Sequence, residues 1–429
     1  MKKYGTSFKL RHFYCLATVI CFTSSSIAKL NGNNSEYLSL KNDPVGYFVK
    51  KYENNNEIIL NQDKIEEFNR RIIERQTLNA IDPKAKNHNL LDYPEVVSKN
   101  LIINAVKYSD LYDAIPYEKY YNFDSLKEIN SVRYAVAITK SSIRSIPTDI
   151  RFYEKDDGIK HFDLARYKEV KFGEPMVVLH ETLDNTWLLV QTINTKGWIK
   201  AKDVAFTNKE TFTKYLKTDD FVVVIAKNIE KNGIYMDMGV KLALDHEDSE
   251  FYYVNYPVKN QNSSLGFRVL KMEKNADLHH GYLPYTTSNL IKQVMKYYET
   301  PYGWGGIDNG VDCSGLVLNV YSVFGFVFPR NSNKQQSMAG NIFKFDGRNN
   351  KEILNNLVPG SLLFFPGHIM LYLGKVENKY YIIHSVGSIY NKNKEKIRVM
   401  TVDINDISKI FRANGKTFMK ELKTATEVR

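Results

Sequence analysis

The order of apolar and polar positions divides the chain into stretches of different period. Between about residues 44 and 130 the repeat is helical in several places. The clearest case is residues 63–73, where Ile65, Phe68, Ile72 and Ile73 share one helical face. This segment carries no candidate chemistry and reads as a helical cap on later domains. From Ser131 the period shortens to that of strands. Residues 177–180, 187–191 and 197–199 are separated by turn material at 183–185 and 194–196, the rhythm of a small β-barrel. A second set at 221–225, 251–254 and 267–270, broken by a loop at 259–264, predicts another barrel. After residue 284 the pattern predicts a helix over 289–298 capped by Thr287 or Ser288, and a glycine-rich turn over 302–310. A helix from Cys313 to about Phe324 and strands holding His368 and His384 complete one α+β domain. The expected divisions are 29–130 helical, 131–210 and 215–284 barrels, and 285–429 the α+β domain, with 29–41 a flexible lead-in.

The first 28 residues form a unit of their own. Lys2, Lys3, Lys9 and Arg11 surround or precede an apolar stretch over 13–22, too short to span a bilayer as a stable helix. Ser26-Ile27-Ala28 places small residues at the −3 and −1 positions of a cleavage site. Cys21 follows Thr18-Val19-Ile20, which is no lipobox, so no lipoprotein is predicted. No later segment is apolar for long enough to cross a membrane. The reading is a chain exported by a cleavable signal peptide, periplasmic or extracellular. Its formal charge falls from +11 to +7 when the four signal cations leave, a modest excess suited to an anionic envelope. With no basic helix or Arg-rich motif, nucleic acid is not predicted as a partner. The 29 Tyr and 23 Phe fit a β-rich folded protein better than a disordered one.

Export also changes what the cysteines mean. The chain has three, and Cys15 and Cys21 leave with the signal. Cys313 then stands alone and cannot form an internal disulfide; it is inert and buried, paired with another chain, or reactive. Gly303, Gly305, Gly306 and Gly310 relax the backbone before it, and Val317, Val320, Tyr321 and Phe324 recur at helical spacing after it. Cys313 therefore falls on the first turn of a buried helix, where free amide protons and the positive end of the dipole stabilise a thiolate. An ordinary thiol, with a pKa of about 8.5, is only a few per cent ionised near neutrality, so a nucleophile needs such help.

His368 follows Pro366-Gly367 and opens an apolar strand over 369–374, placed to reach a helix N-terminus across a cleft and to take or share the thiol proton. His384 ends a strand over 380–384 that returns through a turn near Glu377-Asn378, and is a candidate for orienting the base. Each also has a plainer reading, as a strand-end or a core histidine. The hairpin poses a difficulty. In an even register His384 opposes Tyr372, on the face of His368 but four residues away, and an odd register puts it on the wrong face. A bulge or strong twist must close the gap. Spacings of 55 and 16 residues between Cys313, His368 and His384 match no short zinc motif. No metal and no cofactor are predicted.

Together these residues resemble the NlpC family of papain-like cell-wall cysteine peptidases. The matching pieces are Pro301-Tyr302-Gly303-Trp304-Gly305-Gly306, Asp312-Cys313-Ser314-Gly315, Gly367-His368-Ile369 with Tyr372-Leu373-Gly374, and Ile383-His384-Ser385. Phe328-Pro329-Arg330-Asn331-Ser332 and Gln335-Gln336 look like that family too. Upstream, Arg144-Ser145-Ile146-Pro147-Thr148 and the stretch from Gly173 to Ile199 resemble its bacterial SH3-like domains. The resemblance implies a multidomain fold: a helical stabilising segment, two small SH3-like β-barrels and a papain-like α+β peptidase. It implies cleavage of the bond between γ-D-Glu and a diamino acid in peptidoglycan stem peptides, with Cys313 as nucleophile, His368 as base then acid, and His384 as orienting residue. Tyr302 would line the cleft and help hold the oxyanion, or pack against Trp304. Asp312 would meet the substrate's free amino terminus, or cap a helix. Trp304 is a further substrate-binding candidate. In multidomain relatives the first barrel walls the pocket and favours stem peptides with free N-terminal L-Ala; Asp163, Tyr167 and Trp187 are contributors to consider. The expected partner is a stem peptide or murein fragment, and a monomer is expected. Two other classes remain open: a wall-binding protein with a silent peptidase, against which the retention of all three site residues argues, and an acyltransferase or deamidase using the same thiol.

Overall fold

A computed structural model describes residues 35–78, 87–115, 118–153 and 162–429. The expected signal peptide, with Cys15 and Cys21, lies outside them. The helix Gln62–Leu78 forms where the 3.6-residue period places it and buries Ile65, Phe68 and Ile72 completely. Before it, Pro44–Lys51 starts on a proline at its first position, with the Asp43 side chain accepting from the Gly46 N–H at 2.8 Å. Neither helix has a core of its own. Phe48, Ile65, Phe68 and Ile72 lie in one apolar cluster with Leu316, Val317, Val320 and Phe324, near the other end of the chain. Backbone pairing ties the same regions, Ile58–Leu60 running antiparallel to Tyr285–Thr286.

Next comes a seven-stranded antiparallel sheet in the spatial order Val204–Thr207, Arg133–Ala137, Pro175–Glu181, Trp187–Gln191, Lys196–Lys200, Ser141–Arg144, Arg166–Val170. The expected strands 177–180, 187–191 and 197–199 are its centre. A five-stranded sheet follows, built from Leu265–Glu273, Phe251–Lys259, Lys241–Glu247, Phe221–Val224 and Leu278–His280. Here the loop at 259–264 does not break the pattern. It is the turn of a long hairpin paired without interruption from Phe251↔Glu273 to Lys259↔Leu265.

The C-terminal domain sets helices against a six-stranded sheet in the order Asn341–Lys344, Thr424–Glu427, Leu362–Phe365, His368–Val376, Lys379–Tyr390, Lys396–Asp406. Its first helix, Thr287–Met295, is capped by Thr286, one residue before the expected position, whose hydroxyl accepts from the Asn289 N–H at 3.1 Å. The helix Cys313–Ser322 packs on one face of the sheet. Ile369, Leu371 and Leu373 share its core, whereas Met370 and Tyr372 face a second core with Phe365 and Phe418.

The hairpin that carries both histidines contains the bulge its sequence requires. From the turn, Val376 pairs with Lys379 and Gly374 with Tyr381. Continued unchanged, that odd register would rotate His384 off the face of His368. Between Gly374 and Tyr372 the register slips by one residue, so that Tyr372 pairs with Ile382 and Leu371 with Ile383. Carried one step further, this sets His384 opposite Met370, on the His368 face and two residues from it. Gly374 adopts φ +103°, open to glycine and strained for other residues. The Leu373 carbonyl freed by the bulge accepts from the Tyr52 hydroxyl at 2.7 Å, across 321 residues of sequence. The N-terminal segment thus pins the irregularity that phases the two histidines. Tyr52→Phe should cost about 1–2 kcal/mol, because a buried carbonyl loses its donor. Gly374→Ala should cost more, since an added Cβ would lie 2.4 Å from the Tyr52 oxygen. Denaturant unfolding of both variants beside the parent checks the order.

Candidate active site

Cys313 is the first residue of its helix, and Asp312 is the N-cap. The glycine-rich turn before it bends through left-handed conformations at Gly305 (φ +61°) and Gly306 (φ +79°). That turn brings the Gly305 N–H to Asp312 Oδ2 at 2.8 Å, while the Gly315 N–H reaches Oδ1 at 2.7 Å. Ser314 Oγ also donates to Oδ1, at 3.1 Å, and the Arg330 guanidinium closes on both carboxylate oxygens as a buried ion pair. Burial alone would raise the Asp312 pKa, but Arg330 and the two amides outweigh it and hold the carboxyl below its usual range. Asp312 had two expected roles, a contact to the substrate's free amino terminus or a helix cap. In this geometry both its oxygens are occupied by the protein, and it serves as the helix cap. Arg330, quoted only as part of a motif, is its counter-ion.

The two imidazoles meet directly. His368 Nε2 lies 2.8 Å from His384 Nδ1, and His384 Nε2 lies 2.9 Å from Asn405 Oδ1 on the next strand. The rings sit on the sheet face away from the Cys313 helix, packed edge-on against Phe418. The sulfur lies at the start of the strand that carries His368. It is half-buried, and it accepts from the backbone N–H of Ile369, the residue after His368. Among the described residues Cys313 and His368 form no direct hydrogen bond.

Nor do the surroundings favour charge separation at rest. Burial, then the neighbouring Asp312 charge, pushes the thiol up to about 12. Burial, then His384 and Arg412, pushes the His368 pKa well below its ordinary value. Both directions favour a neutral thiol and a neutral imidazole at rest over a thiolate–imidazolium pair. The helix dipole that favours a thiolate is countered by the anionic cap at the same helix end.

Tyr302 is almost fully buried. Burial, followed by the neighbouring Cys313 and Asp312, keeps its phenol protonated, so the hydroxyl remains a donor. Its ring does not pack on Trp304. Phe162, from the first sheet domain, lies between them, with ring centres 5.2 Å from Tyr302 and 5.7 Å from Trp304. Gly387 leaves room for Phe162, since a Cβ there would lie 3.3 Å from the ring edge. The indole N–H of Trp304 donates to the Arg166 carbonyl at 3.1 Å, and Arg166 Nε returns a bond to the Gly305 carbonyl at 2.9 Å. The first sheet domain therefore touches Tyr302 and the glycine-rich turn, through Phe162 and Arg166. Asp163 is instead buried in an ion pair with Arg144 at 2.7 Å, Trp187 belongs to an interior core, and Tyr167 packs against another. Phe162 borders the undescribed residues 154–161, and its sequence neighbourhood offers no motif that singles it out.

Residues 299–403 match the NlpC/P60 family, and residues 151–200 match the SH3 domain of SH3b1 type. The chain is 27% identical to dipeptidyl-peptidase 6 of Lysinibacillus sphaericus over 221 residues, 48% of this chain and 76% of that protein. Over 111 residues it is 31% identical to the bifunctional muramidase/DL-endopeptidase CwlT of Bacillus subtilis (strain 168), 25% of this chain and 30% of that one. Its fold is similar to a solved NlpC/P60 endopeptidase from Photobacterium damselae subsp. piscicida, with TM-score 0.68 and 20% identity, covering 88% of this chain and 96% of that one. The C-terminal domain is an NlpC/P60 papain-like peptidase domain, and an SH3b domain precedes it. The family is one of cell-wall cysteine peptidases.

Two outcomes follow from the electrostatics. Arg330→Met strands the Asp312 charge in the interior and should cost about 3–5 kcal/mol in denaturant unfolding; adding Asp312→Asn should recover part of it. Burial lowers the His384 pKa from 6.5 to about 4. Its neutral form is therefore favoured in the folded state. Stability attributable to it is full above pH 6.5, and about 3 kcal/mol is lost as the pH falls towards 4. Melting temperatures across that range, for the parent and His384→Gln, read the difference.

Proposed function

We propose that this protein is an exported cysteine endopeptidase that hydrolyses the amide between γ-D-Glu and a diamino acid in peptidoglycan stem peptides. The observation that carries the reading is the convergence of the Cys313 helix start with the contacting His368–His384 pair. Cys313 is assigned as nucleophile, His368 as general base and then acid, and His384 as the orienting residue. Because thiol and imidazole are both neutral at rest, proton transfer accompanies attack. The S–H proton moves to His368 Nδ1 as sulfur bonds to the γ-carbonyl carbon. Hydrogen bonds of this kind are often long without substrate and tighten when it binds. The oxyanion takes the Cys313 backbone N–H and the Tyr302 hydroxyl. His368 then gives its proton to the departing amine, leaving a thioester. Water attacks that thioester with its proton passing to His368, and the thiol is restored.

The preferred substrate is a stem peptide with a free N-terminal L-Ala. Support comes from the packing of Phe162 of the first sheet domain against Tyr302 and Trp304, in the turn that precedes Cys313, and from the dipeptidyl-peptidase name of the Lysinibacillus relative. With Asp312 held by Arg330, recognition of the ammonium is not assigned to it. Periplasmic or extracellular action fits a cell-wall substrate, and no described helix is long and apolar enough to cross a membrane. Incubation with L-Ala-γ-D-Glu-diaminopimelate should release the dipeptide L-Ala-γ-D-Glu by mass spectrometry, and Cys313→Ala should release none. Intact substrate with the parent enzyme would reject hydrolysis. Acetylating the substrate's amino group should abolish turnover; unchanged turnover would reject the closed end.

A further inference from the structure

His384 is completely buried, and each of its ring nitrogens has one partner. Which nitrogen carries the proton depends on Asn405, because an amide can present either its oxygen or its NH2. A second contact decides the matter. Asn405 Nδ2 lies 3.0 Å from Asp403 Oδ2, and Asp403 sits directly across from His384 in the strand pairing. Asp403 Oδ1 in turn accepts from the Ile404 N–H at 2.8 Å. Burial pushes the Asp403 pKa up, while the bonds from Asn405 and the Ile404 N–H stabilise its charged form; as a carboxylate it only accepts. Turning the amide over would set two oxygens against each other at that distance, and would face the Asn405 NH2 to His384.

We propose that Asn405, anchored by Asp403, is a positioning residue that fixes the protonation direction of both histidines and so aims a bare nitrogen at Cys313. The chain runs one way. Asn405 Nδ2–H donates to Asp403, and His384 Nε2–H donates to Asn405 Oδ1. His384 Nδ1 is left with its lone pair and accepts from His368 Nε2–H. His368 Nδ1 is then the unprotonated nitrogen, which a base for the thiol requires. A third group that holds a catalytic imidazole in the right tautomer is worth a large factor in rate elsewhere, and here the same task extends one residue beyond the second histidine.

The inference rests on the peptidase reading, so one arm of its test is independent of hydrolysis. Nitrogen-15 NMR of the imidazoles in the whole mature chain near pH 7 reads tautomers directly. His384 and His368 should both appear protonated on Nε2 and bare on Nδ1. A protonated Nδ1 on His384 would overturn the proposal whether or not the protein cleaves anything. The correct tautomers in a protein that cleaves no stem peptide would sink the peptidase reading and leave this one standing. In the kinetic arm, Asn405→Leu should lower kcat by about 10- to 100-fold, with KM little changed and the Nε2-protonated signal of His384 lost. Asn405→Asp should retain most activity, because two adjacent carboxyls share a proton; the new side chain can then donate to Asp403 and still accept from His384. Equal loss in both variants, or a change below twofold in Asn405→Leu, would reject the role.

Discussion

The active site depends on a one-residue slip between two strands. Side chains alternate across a sheet with a period of two, so an odd register and an even register place a given residue on opposite faces. The turn at Glu377-Asn378 launches the hairpin in the register that sends His384 the wrong way, and the bulge at Leu373 reverses it before the histidines are reached. Only past that point do His368 and His384 share a face and a 2.8 Å contact. A bulge leaves backbone groups unpaired, and a buried unpaired carbonyl is costly. Tyr52 supplies the missing donor. The N-terminal segment therefore supports the His368–His384 contact from outside: it stabilises the irregular backbone on which that geometry rests.

Part of this was legible in the sequence. The helix beginning at Cys313, the strands at His368 and His384, and the central strands of the first sheet follow from local periodicity, which contacts a few residues apart decide. The need for a bulge was legible too, as a parity problem between two histidines sixteen residues apart. What could not be read was where it falls, because its stabilising partner comes from a helix 321 residues earlier. Arg330 and Asn405 escaped for the same reason. Each acts through a side chain brought close only by tertiary structure, and neither residue type signals such a role by itself. Trp304 and Tyr302 were singled out from their motif, but the ring between them, Phe162, comes from another domain and was not.

The charged groups of the site fall into two layers with opposite effects. Asp312 and Arg330 neutralise one another beneath the nucleophile, where they organise the glycine-rich turn and the helix start. Such a pair gives little net stability over an apolar one but is costly to break, which suits a structural joint better than a source of binding energy. Its anion sits at the helix end whose dipole would otherwise favour a thiolate, and the thiol stays protonated. The second layer is the relay from Asp403 to His368, where the one carboxylate lies two groups away from the base.

That separation bears on how the site works. A carboxylate touching the first or second imidazole would raise its pKa and favour the imidazolium at rest. An amide in its place accepts the His384 proton without adding charge, and both rings, already pushed towards neutrality by burial, remain able to take a proton and to release it. In the proposed mechanism the arrangement trades a pre-formed nucleophile for a base that does not hold its proton too tightly. A neutral thiol at rest is also less prone to oxidation and alkylation than a thiolate, which matters for a protein whose chemistry rests on one sulfur. In the proposed mechanism attack waits until an amide carbonyl lies against Cys313 and the Tyr302 hydroxyl, where charge developing on oxygen would be met by donors already in place.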